Sequence, residues 1–397
     1  MNYITNSDTI IFMSGFNDKL DKYLISKYTK LIFSDYESDK IFELYDKIFK
    51  SFDIDIKYEL QKISFYHDSA SGVKCVMSHF NHPINNLQYN LTHLVFGYAF
   101  NKPVDYLPSK LIYLDFGYAF NQAVDYLPSK LIYLNFGYYF NQKVNNLPSG
   151  LTYLTFGNSF NQEVNNLPLK LAYLTFGYNF NKPVNYLPSG LTHLTFGYNF
   201  NQAIENLPLT LTHIIFNYHF NQNVNNLPQT LTHLTFGDKF NQAVDNLPHN
   251  LIHLTFDCDF NQNVNNLPHN LTHLTLGYSF NQVLDNLPSS IEELRLSENY
   301  NLELNNLPIS IRKIIFNHDY EYTEDDYFFD DNDIGFSKEL NCLPDFIEFI
   351  QLPQRYNKKI SRFPSKLKKI VCSIYYDYLD DFANYEVEKV DKNFVYD

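Results

Sequence analysis

Residues 181–200 read NKPVNYLPSGLTHLTFGYNF, and the same twenty-residue pattern recurs on both sides of them. From residue 81 the chain stacks in rows of 20 without insertion as far as residue 320, which makes twelve units. Position 1 of each row is Asn, from Asn81 to Asn301, and position 7 is Leu. Position 4 is Val, Ile or Leu, and position 8 is Pro in eleven rows, with Gln88 the exception. Positions 11, 14 and 16 spell L-x-x-L-x-F, as in Leu191, Leu194 and Phe196, and position 20 is Phe until Tyr300 and Tyr320.

Each column has a physical reading. L-x-x-L-x-F is a short strand whose positions 14 and 16 point one way and 13 and 15 the other. A unit of 20 residues cannot close a core alone, so its neighbours must close it by stacking. Position 17 is Gly in eight rows and Asn217, Asp257, Ser297 or Asn317 in the rest, a substitution pattern that predicts positive φ where the strand leaves the sheet. Pro at position 8 excludes a central strand and a helix interior, so the N-N-L-P segment is extended. The predicted fold class is therefore a β-rich solenoid with one parallel strand per coil and few or no helices.

The spacing continues in decayed form outside the array. Phe336, Leu340, Leu343, Pro344, Ile347, Ile350, Leu352 and Tyr356 fit a thirteenth unit, and Ile360, Phe363, Pro364, Leu367, Ile370 and Cys372 a fourteenth. Upstream, Leu60, Ile63 and Phe65, and Tyr28, Leu31 and Phe33, keep the strand spacing; Lys40 to Phe49 reads as a charged helical stretch. The expected organisation is residues 1–79 with degenerate capping units, 80–320 as the array, 321–335 as an insertion, 336–372 as two degenerate repeats and 373–397 as an acidic cap.

The Asn column (Asn101, Asn121, Asn141, Asn161, Asn181, Asn201, Asn221, Asn241, Asn261, Asn281) reads as a structural ladder, its amides about 4.8 Å apart and bonded to the next coil. A surface run of Asn read by a ligand is the alternative. Position 13 projects outward as Tyr113, Tyr133, Tyr153, Tyr173, His193, His213, His233, His253 and His273, beside a column of Thr at position 15. Two readings are open: a partner-binding face, or cross-strand aromatic pairs contributing about 0.2–1 kcal/mol each to the sheet. Five consecutive His invite a metal, but along a flat ladder only two neighbours reach one ion, so a stack that charges below about pH 6.5 is expected, with stability or partner binding weakening in acid. No metal and no cofactor is predicted.

Composition narrows the function. A net charge of −14 argues against coating nucleic acid or anionic lipid, and no run of 18 apolar residues predicts a membrane span. Seven of the acids lie in the insertion Glu321–Gly335, which fails as a calcium loop because Ile334 and Asn341 fall on ligand positions. Four scattered cysteines and no signal segment suggest a reducing, cytoplasmic setting. Twelve near-identical rows repeat one chemistry, whereas catalysis needs unlike groups converging on one point, so no enzyme is expected.

The columns F-N-[QK]-x-[VI]-x-x-L-P-x-x-L-x-x-L-x-F-G, as at Phe100–Val104 and Phe180–Val184, closely resemble the FNIP repeat of social amoebae and amoebal giant viruses. The resemblance implies a right-handed, leucine-rich-repeat-like solenoid used for protein binding, in the host cytoplasm if the source is viral. Some such viral proteins are similar to F-box adaptors of ubiquitin ligases, but residues 1 to 50 show no Leu-Pro-x-Glu start and no Trp. The leading expectation is a scaffold for a protein partner, basic where it meets the acidic insertion. A ubiquitin-ligase adaptor is the alternative, and a lattice- or carbohydrate-binding face is a third.

Overall fold

A computed structural model describes residues 3–37, 40–50, 74–75, 77–84, 87, 89–317 and 335–390. Two compact units divide the chain, Met1–Gly197 and Tyr198–Asp397. The first holds β1 (Tyr3–Thr5), β2 (Thr9–Phe12), helix α1 (Lys22–Ile25), β3 (Lys30–Phe33), β4 (Tyr36–Glu37), helix α2 (Ile41–Lys50) and β5 (Lys74–Cys75). Six repeat strands follow: β6 (His93–Val95), β7 (Tyr113–Asp115), β8 (Tyr133–Asn135), β9 (Tyr153–Thr155), β10 (Tyr173–Thr175) and β11 (His193–Thr195). β1 is antiparallel to β2; from β2 the sheet runs parallel through β3 and β6 to β11. β4 and β5 form a separate antiparallel pair.

The second unit contains β12 (His213–Ile215), β13 (His233–Thr235), β14 (His253–Thr255), β15 (His273–Leu276), β16 (Glu293–Ser297) and β17 (Lys313–Asn317). It continues through β18 (Phe349–Gln351), β19 (Lys369–Ser373) and β20 (Glu386–Val390), each parallel to the one before. Strands pair position on position, as Tyr133↔Tyr153 and His233↔His253. Each unit is thus a parallel-strand β-solenoid with few helices.

The core follows the columns. Leu114 and Phe116 are fully buried, as are Leu111 and Phe120 of the same coil. The rings at positions 16 and 20 stack within a coil, Phe96 on Phe100 at 3.7 Å, and between coils, Phe96 on Phe116 at 5.9 Å. Each buried Phe contributes about 1.5–3 kcal/mol, and the face-to-face registry repeats because every coil has the same length. The Pro at position 8 lends its carbonyl to a tight turn that launches the strand, as in Leu111 N–H donating to Pro108 O at 3.1 Å.

Position 17 departs from expectation. Among the described residues only Gly335 has positive φ, at 60°. Where the column is Gly the coils approach closely instead: a Cβ on Gly137 would lie 1.7 Å from Gly117 O, and one on Gly117 1.9 Å from Gly97 O, while Asn217 and Asp257 are accommodated in other coils. Where Ser297 and Asn317 fill the column, the strands run through it to five residues and the two residues pair.

The degenerate repeats extend the sheet of the unit that holds them. Tyr28, Leu31 and Phe33 belong to the β3 coil, the thirteenth unit supplies β18 and the fourteenth β19. Leu60, Ile63 and Phe65 lie outside the described residues, and both edges of β3 are taken by β2 and β6. β2 and β20 are additional coils that column matching did not find, because they lose the Asn and Pro landmarks; β2 is buried throughout, whereas no residue of β20 is. Most of the acidic insertion also lies outside the described residues; past it, Phe336 packs 4.8 Å from Phe316 and Ser337 N–H donates to Asn301 Oδ1 at 2.9 Å. Column and ladder therefore resume together.

Candidate functional site

The outward face of each sheet carries positions 13 and 15. In the first unit the rings stack as Tyr113 on Tyr133 at 4.3 Å, Tyr153 on Tyr173 at 4.5 Å and Tyr173 on His193 at 4.3 Å, while Tyr133 to Tyr153 opens to 6.3 Å and tilts by 33°. In the second unit His213, His233, His253 and His273 stack at 4.1, 4.4 and 4.2 Å.

One part of this face is not available to a partner. Helix α2 lies on it, and its Ile41 and Tyr45 pack with Ile11, Ile32, Val95, Tyr113 and Tyr133 in one buried cluster. Phe49, one turn further along the same stripe, meets Tyr113 edge-on at 5.0 Å and His93 at 4.8 Å. Tyr113 is 3% exposed and Tyr133 9%, so both are core residues rather than partner-binding ones. The outward column turns apolar where the helix sits, Ile11, Ile32 and Val95 standing where later coils carry Thr. Burial pushes the Tyr113 hydroxyl well above its ordinary range and the Tyr45 hydroxyl likewise, the latter donating to Ser34 Oγ at 2.9 Å.

A threonine network orients the histidines. Thr232 Oγ1 donates to Thr212 O at 3.1 Å and lies 2.9 Å from His233 Nδ1; Thr272 Oγ1 donates to Ile252 O at 3.2 Å and lies 2.7 Å from His273 Nδ1. A hydroxyl has one proton, so it accepts from Nδ1–H and leaves the Nε2 lone pair bare. Desolvation first, and then the neighbouring imidazoles, hold His233 and His253 below the usual histidine range. His93, under α2 and near Lys30, is pushed down to about 4, mainly by burial.

Bare Nε2 atoms do not make this column a metal centre. Parallel rings about 4 Å apart leave a shared ion about 2 Å out of each ring plane, a whole Zn–N bond length, whereas coordination needs the ion in the plane. Among the described residues the only trio of metal-type ligands is Asp238, Asp257 and Cys258. There Cys258 Sγ–H donates to Asp257 Oδ1 at 3.3 Å, and burial, followed by Asp238, raises the Asp257 carboxyl.

The Asn column forms a ladder in both units. Asn121 N–H donates to Asn101 Oδ1 at 3.0 Å and Asn161 N–H to Asn141 Oδ1 at 2.9 Å; Asn241 N–H donates to Asn221 Oδ1 and Asn281 N–H to Asn261 Oδ1, both at 3.0 Å. The same oxygens accept a second donor from the Gln at position 2, Gln122 Nε2 on Asn101 at 2.9 Å and Gln242 Nε2 on Asn221 at 3.0 Å. Sequence reasoning passed over this Gln column, although its recurrence was visible. It also passed over a tyrosine column at position 18, where Tyr98, Tyr118 and Tyr138 stack at 4.6 Å and Tyr198 on Tyr218 at 4.3 Å.

The FNIP Repeat family matches this pattern in overlapping segments from residues 80–119 through 260–299, more than half of the chain. The chain belongs to the FNIP repeat family. It is similar to CroV588, a circular LRR protein of a giant virus, at 28% identity and a TM-score of 0.65. That likeness covers 95% of this chain and 58% of CroV588, so the FNIP chain spans less than two thirds of that protein. The functional domain of InlJ from Listeria monocytogenes, which includes a cysteine ladder, shares the fold at 14% identity and a TM-score of 0.50, over 76% of this chain and 68% of its own. Among curated proteins nothing matches. The fold is leucine-rich-repeat-like, no catalytic family is indicated, and no helix among the described residues is long and apolar enough to cross a membrane.

Proposed function

We propose that this FNIP chain is a non-enzymatic protein-interaction scaffold that binds its partner along the part of the outward strand face that α2 leaves open. The observation that supports it is the ordered stacking of rings on each unit: Tyr153, Tyr173 and His193 in the first and His213 to His273 in the second. Rings locked by their neighbours present large contact area at small entropic cost, which favours protein recognition. The same stacking weakens the carbohydrate reading, because the ring faces a sugar would cover are already covered by the next ring. The acidic sequence 321–335 adds a preference for a partner basic at that end, and a cytoplasmic setting suits the free cysteines.

The test is affinity purification from native cells, comparing the intact chain with one carrying Ser at Tyr153, Tyr173, His213, His233, His253 and His273. The scaffold reading expects a specific protein with the first and its loss with the second. Equal recovery by both chains would move the partner elsewhere, and recovery of a ligase subunit through residues 1 to 80 would favour the adaptor.

A further inference from the structure

Repetition makes most of the outward face chemically uniform, and the second unit breaks that uniformity at one place. After His253 and His273 the column turns to Glu293, with Arg295 two residues on where earlier coils carry Thr255 and Thr275. The break coincides with a groove of about 380 Å³ lined by His253, Thr255, His273, Thr275, Glu293 and Arg295. Imidazole, hydroxyl, carboxylate and guanidinium converge there, the mixed chemistry that a strict repeat cannot supply.

The charges in the groove are already partly matched. Glu293 accepts from Arg295 Nε at 2.6 Å through one oxygen and meets Lys313 Nζ at 3.1 Å through the other. Each carboxylate oxygen thus already has a cationic partner within the chain, so the Glu293 charge is matched. Two cations against one anion leave a net charge of +1 in the Glu293, Arg295 and Lys313 cluster. The two terminal amino groups of Arg295 have no acceptor among the described residues, and its side chain is 40% exposed. That free end is a planar fork suited to two oxygens of one anion. Across the groove lies His273, its Nδ1 2.7 Å from Thr272 Oγ1.

We propose that this groove binds an oxyanion carried by a partner polypeptide, a carboxylate or a phosphoryl group, with Arg295 as the fork. The proposal rests on the outward face being a protein-binding surface and names the chemistry bound at one end of it. The chain's −14 does not oppose it at close range, since beyond about 8 Å other charges are screened at about 0.15 M salt. Glu292, one residue before Glu293, is exposed but does not line the groove.

The experiment titrates the full chain into fluorescein-labelled peptides at about 0.15 M salt. One peptide is glutamate-rich, one carries phosphoserine, and each has a neutral Gln or Ser counterpart. An acidic peptide is expected to bind at least about tenfold more tightly than its counterpart. The better of the two acidic peptides identifies the source of the oxyanion. Arg295→Gln should abolish the preference while Glu293 keeps Lys313, and Arg295→Lys should recover only part of it. Melting curves establish that the variants are folded. Binding no tighter than the neutral peptides, or an Arg295→Gln variant that binds like the parent, overturns the proposal. If the peptides fail while purification still recovers a partner through His213 to His273, the groove assignment falls and the scaffold reading stands.

Discussion

Gly137 and Tyr300 show how a single atom decides stability in a stacked coil. A Cβ on Gly137 has backbone 1.7 Å away and no side chain that can yield, so Gly137→Ala should cost about 3 kcal/mol in urea unfolding. At Gly150 the nearest atom to a Cβ is 3.5 Å away, and Gly150→Ala should stay within about 0.5 kcal/mol. Equal effects of the two substitutions would show that the close approach does not govern the column. Tyr300 occupies the position-20 stack 6.1 Å from Phe280, fully buried, with a hydroxyl that finds no hydrogen-bond partner among the described residues. Removing a buried unsatisfied hydroxyl relieves a desolvation cost, so Tyr300→Phe should stabilise by about 1 kcal/mol, read as a higher urea midpoint at unchanged slope. The need for glycine was legible in the sequence while its reason was not, because only the stacking distance separates crowding from positive φ.

The ladders are the elements that join coil to coil. Asn141 Oδ1 accepts from Asn161 N–H at 2.9 Å and Gln162 Nε2 at 3.0 Å, so Asn141→Ala leaves two donors short and should cost about 1–3 kcal/mol. Gln162→Ala removes one donor and leaves the backbone bond, so its effect should be clearly smaller; the same urea unfolding measures both. The histidine stack carries a pH dependence of definite sign. His233 and His253 have folded-state pKa values below the unfolded value of about 6.5, and His93 lies at about 4. The unfolded chain therefore takes up protons first. Their contribution is fully present above about pH 6.5 and is lost as pH falls below it. The unfolding midpoint should be lower at about pH 5 than at about pH 7.5, and a melting temperature unmoved between them would contradict this account. The Asn and His columns could be read from spacing alone; the Gln162-type partner and the Thr232-type relay required knowing which atoms face each other across 20 residues.

At the scale of the whole molecule, α2 determines how much of the repeated face is open. Tyr45→Ala should cost about 3–5 kcal/mol and free the helix, and the Tyr113 hydroxyl should then titrate nearer its ordinary range, followed by tyrosinate absorbance. No change in that titration would mean the helix does not hold Tyr113 buried. The sequence by itself determined the coil length, the parallel strand in each coil, the inward Leu and Phe columns, the Asn ladder and the outward Tyr and His row. It did so because a stack of identical coils multiplies each local preference along one axis. Tertiary structure alone decided that α2 buries Tyr113 and Tyr133, that β2 and β20 extend the two sheets, and that Glu293, Arg295 and His273 converge. The first two depend on contacts between residues that share no period, so no column records them; His273, Glu293 and Arg295 do stand in the columns, and only the fold shows that they line one groove.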